Sequence, residues 1–362
     1  MLNPTGIKRW SNTAQVDPLV DAPQPSYPRQ DADYQKPFSF TKVVECVQDN
    51  ITGLLWAPSG PVMAWGACAA YASQARFGDY SDWRMPTVKE LEGLVDYGID
   101  LNSNPSPGAI DPTYFGDTAI DKPYWTSEFD SGTVARGLPF YGWAINFADG
   151  STARGYPTTT ALHVRLVRGT ANPSRFVSNG TTVTDNSTGL MWKRDCEMNV
   201  PGHPQPQNSL TPDWFVWSTA LQRAVADNTG GYTDWRVPNV KELHSIIDRT
   251  RDHPAMDTSF FPATPLGAYF WSNSPTVDSN WNAMVWNVSF DFGQDGPASP
   301  SSAGYVRLVR NTGDIQPVPP PVVVPPPVVV PTPVVVPPAP TGETRAQYQA
   351  RITPLILAVL NS

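Results

Sequence analysis

Apolar positions along the chain fall into two periods. From Trp65 to Ala75, and again from Trp217 to Asp227, they recur at helical spacing and predict one helix each. A second helical pattern follows in each case. Thr87 with Glu90, and Asn239 with Glu242, have the spacing of a capping box. Leu91, Leu94 and Val95, matched by Leu243, Ile246 and Ile247, then form a buried stripe. Pro86 and Pro238 precede these helices and end whatever strand comes before them. Asp82 and Arg84 are spaced to pair across the helix start, as are Asp234 and Arg236, so these charges read as structural.

Elsewhere the period is two. Trp143 to Phe147 and Trp286 to Phe290 alternate as strands, and so do Arg165–Arg168 and Arg307–Arg310. Asp49-Asn50-Ile51-Thr52-Gly53 reads as a tight turn leading into a short strand that carries Trp56. Two helices followed by a cluster of short strands predict an α+β plan.

These patterns occur twice, in the same order. The Asp49–Trp56 block returns as Asp185–Trp192, and Asp82–Leu91 returns as Asp234–Leu243. Tyr124-Trp125-Thr126-Ser127 matches Phe270-Trp271-Ser272-Asn273, and Arg165-Leu166-Val167-Arg168 matches Arg307-Leu308-Val309-Arg310. The repeat is too long for a solenoid unit, so each copy is expected to be a complete domain, over 38–169 and 174–311. Twelve of the 13 tryptophans lie inside these two ranges, which fits repeated aromatic cores.

Three segments remain. Residues 1–37 are polar and Pro-punctuated and read as an extended arm. Residues 312–340 form a Pro/Val-rich spacer, in which 12 of the 24 positions from 317 to 340 are proline, a density that favours polyproline II. In residues 341–362, Tyr348, Ile352, Leu355, Ile356, Val359 and Leu360 share one helical face, interrupted by Pro354. That segment is either a frayed tail or a docking element that folds against a partner.

Composition narrows the function classes. The formal charge of the 362-residue chain is −8, with no basic block, which argues against binding nucleic acid or an anionic membrane through charge. No apolar run reaches the length of a membrane span. Three cysteines are too few for a disulfide scaffold, and the four histidines have no metal-ligand spacing. No nucleotide-binding or nucleophile-elbow motif is present. The chain is therefore expected to be non-enzymatic and to need no cofactor or metal. No signal peptide is recognisable in the sequence as it stands, so surface delivery requires either a removed signal or another route, such as assembly on a virion.

At the repeated blocks the sequence resembles the domain found at the C-terminus of the Legionella collagen-like adhesin. The matching signature is Asp-Asn-x-Thr-Gly-Leu-x-Trp, Asp-Trp-Arg-x-Pro-x-x-Lys-Glu-Leu, Tyr/Phe-Trp-Ser/Thr and Val-Arg-Leu-Val-Arg, in two copies. The resemblance implies a C-type lectin-like or formylglycine-generating-enzyme-like fold, with two helices flanking a small mixed or antiparallel sheet. It also implies ligand binding by long loops rather than catalysis. Where that family often has a cysteine in the closing strand, this chain has Leu166 and Leu308. Cys46 and Cys68 are then the pair available for a bridge within copy one, with Cys196 left over.

The expected ligand-binding residues in copy two are Asn280, Trp281, Asn282, Asn287, Asp291 and Asp295. Aromatic faces stack on sugar rings, amides and carboxylates bond hydroxyls, and this mixture is typical of adaptable binding loops. Trp286 sits in the strand pattern and reads as core. Copy one offers Arg136, Tyr141, Asn146 and Asp149, with Trp143 as core. The resulting expectation is a surface-displayed, adhesin-like protein, extracellular or on a cell surface, binding a glycan or protein receptor. The alternative is a structural subunit of an extracellular filament, sheath or virion, self-associating or laced to a larger surface assembly through its termini.

Overall fold

The computed structural model describes residues 5, 7, 30–31, 37–101, 106, 108–130, 140–169, 176–197, 215–262, 264–267, 269–276, 284–313, 347 and 350. Residues 1–315 form one compact unit that contains both copies, and 316–362 form a second. Among the described residues no helix is long and apolar enough to cross a membrane. Residues 314–340 of the Pro/Val spacer, and the six apolar residues Tyr348, Ile352, Leu355, Ile356, Val359 and Leu360, lie outside the described residues.

Copy one contains β1 (Phe40–Val43), β2 (Cys46–Asp49), β3 (Leu55–Ser59), α1 (Trp65–Gln74), α2 (Val88–Glu92), α3 (Pro112–Phe115), β4 (Tyr124–Phe129), β5 (Tyr141–Ile145), β6 (Thr152–Pro157) and β7 (Arg165–Arg168). Copy two contains β8 (Phe176–Ser178), β9 (Thr182–Asp185), β10 (Leu190–Lys193), α4 (Trp217–Ala226), a 3-10 turn at Thr229–Gly231, α5 (Val240–Ser245), β11 (Tyr269–Pro275), β12 (Val285–Ser289), β13 (Gln294–Ala298) and β14 (Val309–Asn311). Each copy has two antiparallel sheets, ordered β1-β2-β3-β7 and β4-β5-β6 in the first, and β8-β9-β10-β14 and β11-β12-β13 in the second. The closing strand of each copy returns to pair with its third strand: Trp56 faces Val167, and Trp192 faces Val309.

This architecture corrects the expected fold class. The chain is mostly antiparallel sheet with few, short helices, and it is not the two-helix, C-type lectin-like α+β fold. The first helix of each copy forms where its period predicts. The second stops at Glu92 or Ser245, so Leu94, Val95, Ile246 and Ile247 are buried from the turn beyond it rather than from a longer helix. The aromatic cores are carried mainly by the strands.

The turn before β3 forms as its residues dictate. Asp49 Oδ1 accepts from the Ile51 and Thr52 N–H groups, and Gly53 supplies φ +76°. Asp185 and Gly189 (φ +74°) repeat the device. Trp56 and Trp192, which follow these turns, are fully buried.

One apolar cluster runs through both copies and includes Trp56, Trp143, Trp192 and Trp286. A smaller cluster sits under α1 and another under α4. Residues near the N-terminus join this body. Ile7 is part of the shared cluster, Thr5 O accepts from the Tyr97 N–H at 2.7 Å, and Asp31 Oδ2 accepts from Ser274 Oγ at 2.6 Å.

The expected bridge between Cys46 and Cys68 is not formed; both are buried free thiols, as is Cys196. Cys68 Sγ instead bonds the Ala64 carbonyl at the start of its own helix, and Cys196 Sγ accepts from Arg307 Nη2 at 3.0 Å.

Candidate functional site

The two capping boxes set up the contact between the copies. Thr87 and Asn239 each accept from the N–H of the helix's third residue, and Glu90 and Glu242 each return a bond to the cap. The same glutamates hold arginines: Arg84 meets Glu90 at 2.6 and 2.8 Å, and Arg236 meets Glu242 at 2.5 and 2.6 Å. A helix start fixed in this way points the intervening lysine in a defined direction. Lys89 Nζ donates to the Ser245 carbonyl, at the end of α5, at 2.9 Å. Lys241 Nζ donates to the Gly93 carbonyl, at the end of α2, at 2.9 Å. The exchange is reciprocal, as across a two-fold axis.

Around these lysines the seam is aromatic and charged. Tyr97 of copy one stacks edge-on against Trp286 of copy two, with centroids 5.0 Å apart. Arg249, which occupies the place of Tyr97 in copy two, lies over the Trp143 ring of copy one at 4.8 Å. Asp295 Oδ1 accepts from the Thr152 N–H at 2.9 Å and joins β13 to β6. His244 Nε2 stands 3.6 Å from Asp295 Oδ2.

Burial dominates the titration of this layer. It pushes the Lys241 ammonium down to about 8 and the Asp295 carboxyl up to about 7. It also lowers Lys89, raises Glu92, raises the Tyr97 phenol well above its ordinary value and holds His244 well below its own.

A cleft of about 500 Å³ opens along the seam. Its lining includes Lys89, Glu92, Glu128, Lys241, Phe176 and Phe260. Its size falls in the range of small-molecule sites, and it lies at a domain boundary, where such sites are common. A second, smaller cavity of about 60 Å³ lies beside Tyr97, Asp149 and Trp286.

The comparisons with known proteins decide the family. The profile of the Lcl C-terminal domain matches residues 45–168 and 181–310, most of the chain. The chain belongs to the Lcl C-terminal domain family. No curated protein matches it. Two copies of the Lcl domain, docked in one body, make this a tandem-domain protein of adhesin-like type.

Among the described residues of the Lcl pair, those expected to bind ligand do not converge on one exposed surface. Asn287 is buried in β12, and the Asp295 carboxylate is sealed in the seam. Asp291 is half-buried and accepts from the Gly267 N–H. In copy one, Asn146 Oδ1 and Asp149 Oδ1 accept from backbone groups of their own turn, at Ala148 and Ser151, and Asp149 also borders the small seam cavity. Tyr141 is half-buried at the start of β5. Trp143 and Trp286 are buried. Asn280, Trp281, Asn282 and Arg136 lie outside the described residues.

The seam itself is absent from the sequence-based expectations. Its signal was present: a lysine recurs at the same place in both capping boxes, although nothing in its own helix needs one. The ion pairs are also rearranged. Asp82 pairs with Arg168 of the closing strand at 2.7 Å, and Asp234 with Arg310 at 2.7 Å, while Arg84 and Arg236 turn to the capping glutamates.

Proposed function

We propose that this protein is a non-enzymatic, surface-displayed binding protein whose docked Lcl domains engage a glycan or protein receptor. The observation that carries this reading is the seam cleft. It lies where Lys89 and Lys241 join the two copies, so the tandem offers one composite site rather than two separate ones. A site shared by two domains gives a physical reason for keeping both copies in a fixed arrangement.

Cysteine chemistry supports the non-enzymatic side of the proposal. All three thiols are buried, and burial raises their pKa, which leaves little reactive thiolate.

The test is binding of the full chain to a printed glycan array and to a panel of immobilised extracellular-matrix and cell-surface proteins. Saturable binding to a member of either set supports the proposal. Absence of binding to both removes it.

A further inference from the structure

The two lysines give the seam two equivalent sides, and the Lys241 side is already occupied by polypeptide. Thr5, Ile7, Gln30 and Asp31 are buried in the body. The Thr5 carbonyl accepts from the Tyr97 N–H at 2.7 Å, and Asp31 Oδ2 accepts from Ser274 Oγ at 2.6 Å. Phe38 stacks on Phe40, with centroids 5.5 Å apart. The Lys241 ammonium lies 4.8 Å from the Phe38 ring and 5.9 Å from the Tyr97 ring, so these contacts surround one point.

The Lys89 side has the same framework. Asp31, Asp49 and Asp96, with Glu92, face the Lys241 ammonium. Glu128, Asp185 and Asp248, with Arg249, face the Lys89 ammonium. Asp185 and Asp248 hold the places of Asp49 and Asp96 in the repeat, and Glu128 holds the place of Ser274. Ser274 Oγ accepts from the Val240 N–H at 3.1 Å, and Glu128 Oε2 accepts from the Val88 N–H at 3.0 Å. Glu128 thus carries on its own side chain the carboxylate that Asp31 brings to the other side.

The difference lies in the backbone. Arg249 holds the place of Tyr97, yet its N–H meets no backbone carbonyl among the described residues. Phe176, which holds the place of Phe40, lines the cleft together with Lys89, Glu128, Asp248 and Arg249. The cleft is the counterpart of a groove that the chain fills with its own residues.

We infer that the seam cleft takes an extended peptide segment of a partner protein, laid as the N-terminal residues are laid on the other side of the seam. This rests on the proposed reading of the cleft as the binding site and narrows its ligand to a polypeptide. The peptide gives a backbone carbonyl to the Arg249 N–H, as Thr5 does to Tyr97, and rests an apolar or aromatic side chain on Phe176, as Phe38 does on Phe40. One bond is reversed. Ser274 donates to Asp31, whereas a carboxylate at Glu128 accepts, so the peptide residue facing it is a donor such as serine, threonine or asparagine. The chain's own N-terminal segment has an acid at that point and does not match the cleft.

The experiment pans a phage-displayed library of short random peptides on the full chain. Enriched peptides are synthesised and titrated by fluorescence anisotropy into the wild type and into Thr250→Trp, which obstructs the cleft from an exposed lining position. The melting temperature of the variant shows that it remains folded, and all-D enantiomers of the peptides provide a control that needs no variant. The expected result is one sequence family pairing an apolar or aromatic residue with a donor, weakened about tenfold or more by Thr250→Trp and lost in the all-D form. Failure to enrich a family overturns the inference. So do peptides that Thr250→Trp leaves unaffected, or that bind equally as enantiomers. A synthetic peptide of residues 1–37 is titrated alongside; its binding, if weakened by Thr250→Trp, would make the occupant a second copy of this chain and also overturn the inference. If no peptide binds but a member of the glycan array or of the protein panel does, the peptide assignment falls and the adhesin-like reading stands. If nothing binds in any set, both fall.

Discussion

Lys89 finishes a helix that belongs to the other copy: its ammonium sits 2.9 Å from the carbonyl of Ser245, the last residue of α5. Lys241 does the same for Gly93, the C-cap residue of α2. The last carbonyls of a helix lack partners within it, and short helices such as these have few internal bonds to spare. A cation at that end also complements the helix dipole. The Lys-Glu-Leu block therefore does two jobs one residue apart. Its glutamate caps its own helix start, and its lysine closes the partner's helix end.

Lys89→Met is expected to destabilise the body by about 1–3 kcal/mol, because the Ser245 carbonyl loses its charged donor. Chemical denaturation followed by tryptophan fluorescence measures this, since both copies contribute buried tryptophans. An unchanged midpoint would show that the exchange does not hold the copies together.

The combined contribution of Asp295 and Lys241 to stability should pass through a minimum between about pH 7 and pH 8, the folded-state values to which they are pushed, while His244, held below its ordinary 6.5, opposes the falling limb at lower pH. Asp295 keeps its proton up to about 7 when folded but has an ordinary value of 3.8. Between those values the folded state binds more protons, so stability falls as pH rises. Lys241 loses its proton near 8 when folded, against an ordinary 10.5. Between those values the unfolded state binds more protons, so stability rises with pH. Asp295→Asn retains a side-chain oxygen for the Thr152 N–H but cannot ionise. It should flatten the falling limb from pH 4 to 7 and raise the melting temperature at pH 7. Thermal melts from pH 4 to 10 decide the matter, and a falling limb that persists in the variant would place its origin elsewhere.

The two arginine–glutamate pairs at the capping boxes should differ in strength although their sequences match. Arg236 and Glu242 are both nearly buried, at 3% and 9% side-chain exposure, whereas Arg84 is 37% exposed. Removing one member of a buried pair leaves an uncompensated charge and costs about 3–5 kcal/mol, while half-exposed pairs are screened by solvent. Glu242→Gln is therefore expected to destabilise more than Glu90→Gln. Urea denaturation of the two variants side by side provides the comparison, and equal midpoint shifts would refute the ordering.

The same pairs show which parts of the fold were legible. Capping boxes, the Asp49 and Asp185 turns and the first helix of each copy rest on residues within a few positions of one another, so their spacing carries the information. The partners of Asp82 and Asp234 lie 86 and 76 positions away, on the closing strands, and no local pattern encodes that choice. The second helix misled for a related reason. Leu94 and Val95 keep helical spacing, yet they are buried from a turn, because burial constrains the direction of a side chain more than the backbone that delivers it. For the candidate site, the sequence pattern carries the type of each residue but not the direction of its side chain. That direction depends on the docking of the two copies, and Asp295 faces the seam for that reason. Lys89 and Lys241 were visible as a repeat, but their partners appear only when the copies face each other.

Close packing of glycine against tryptophan supplies the remaining test. Gly304 bridges to Phe215 beside β11, and a Cβ placed there would lie 2.8 Å from Trp271 Nε1. That indole cannot retreat freely, because it donates to the Phe215 carbonyl at 2.7 Å and is 2% exposed. Gly142 has the same relation to Trp125 in copy one, at 2.7 Å, and that indole is tied to the Met63 carbonyl. Overpacking a filled core costs about 1–3 kcal/mol. Gly304→Ala and Gly142→Ala should each lower the melting temperature, and each should do so without moving the seam, since the smaller clusters under α4 and α1 absorb the strain. Hydrogen exchange separates the two effects: protection should fall around Trp271 or Trp125 and stay level at α2 and α5. Loss of protection at α2 and α5 would mean that the cores of the two copies and their seam are a single cooperative unit.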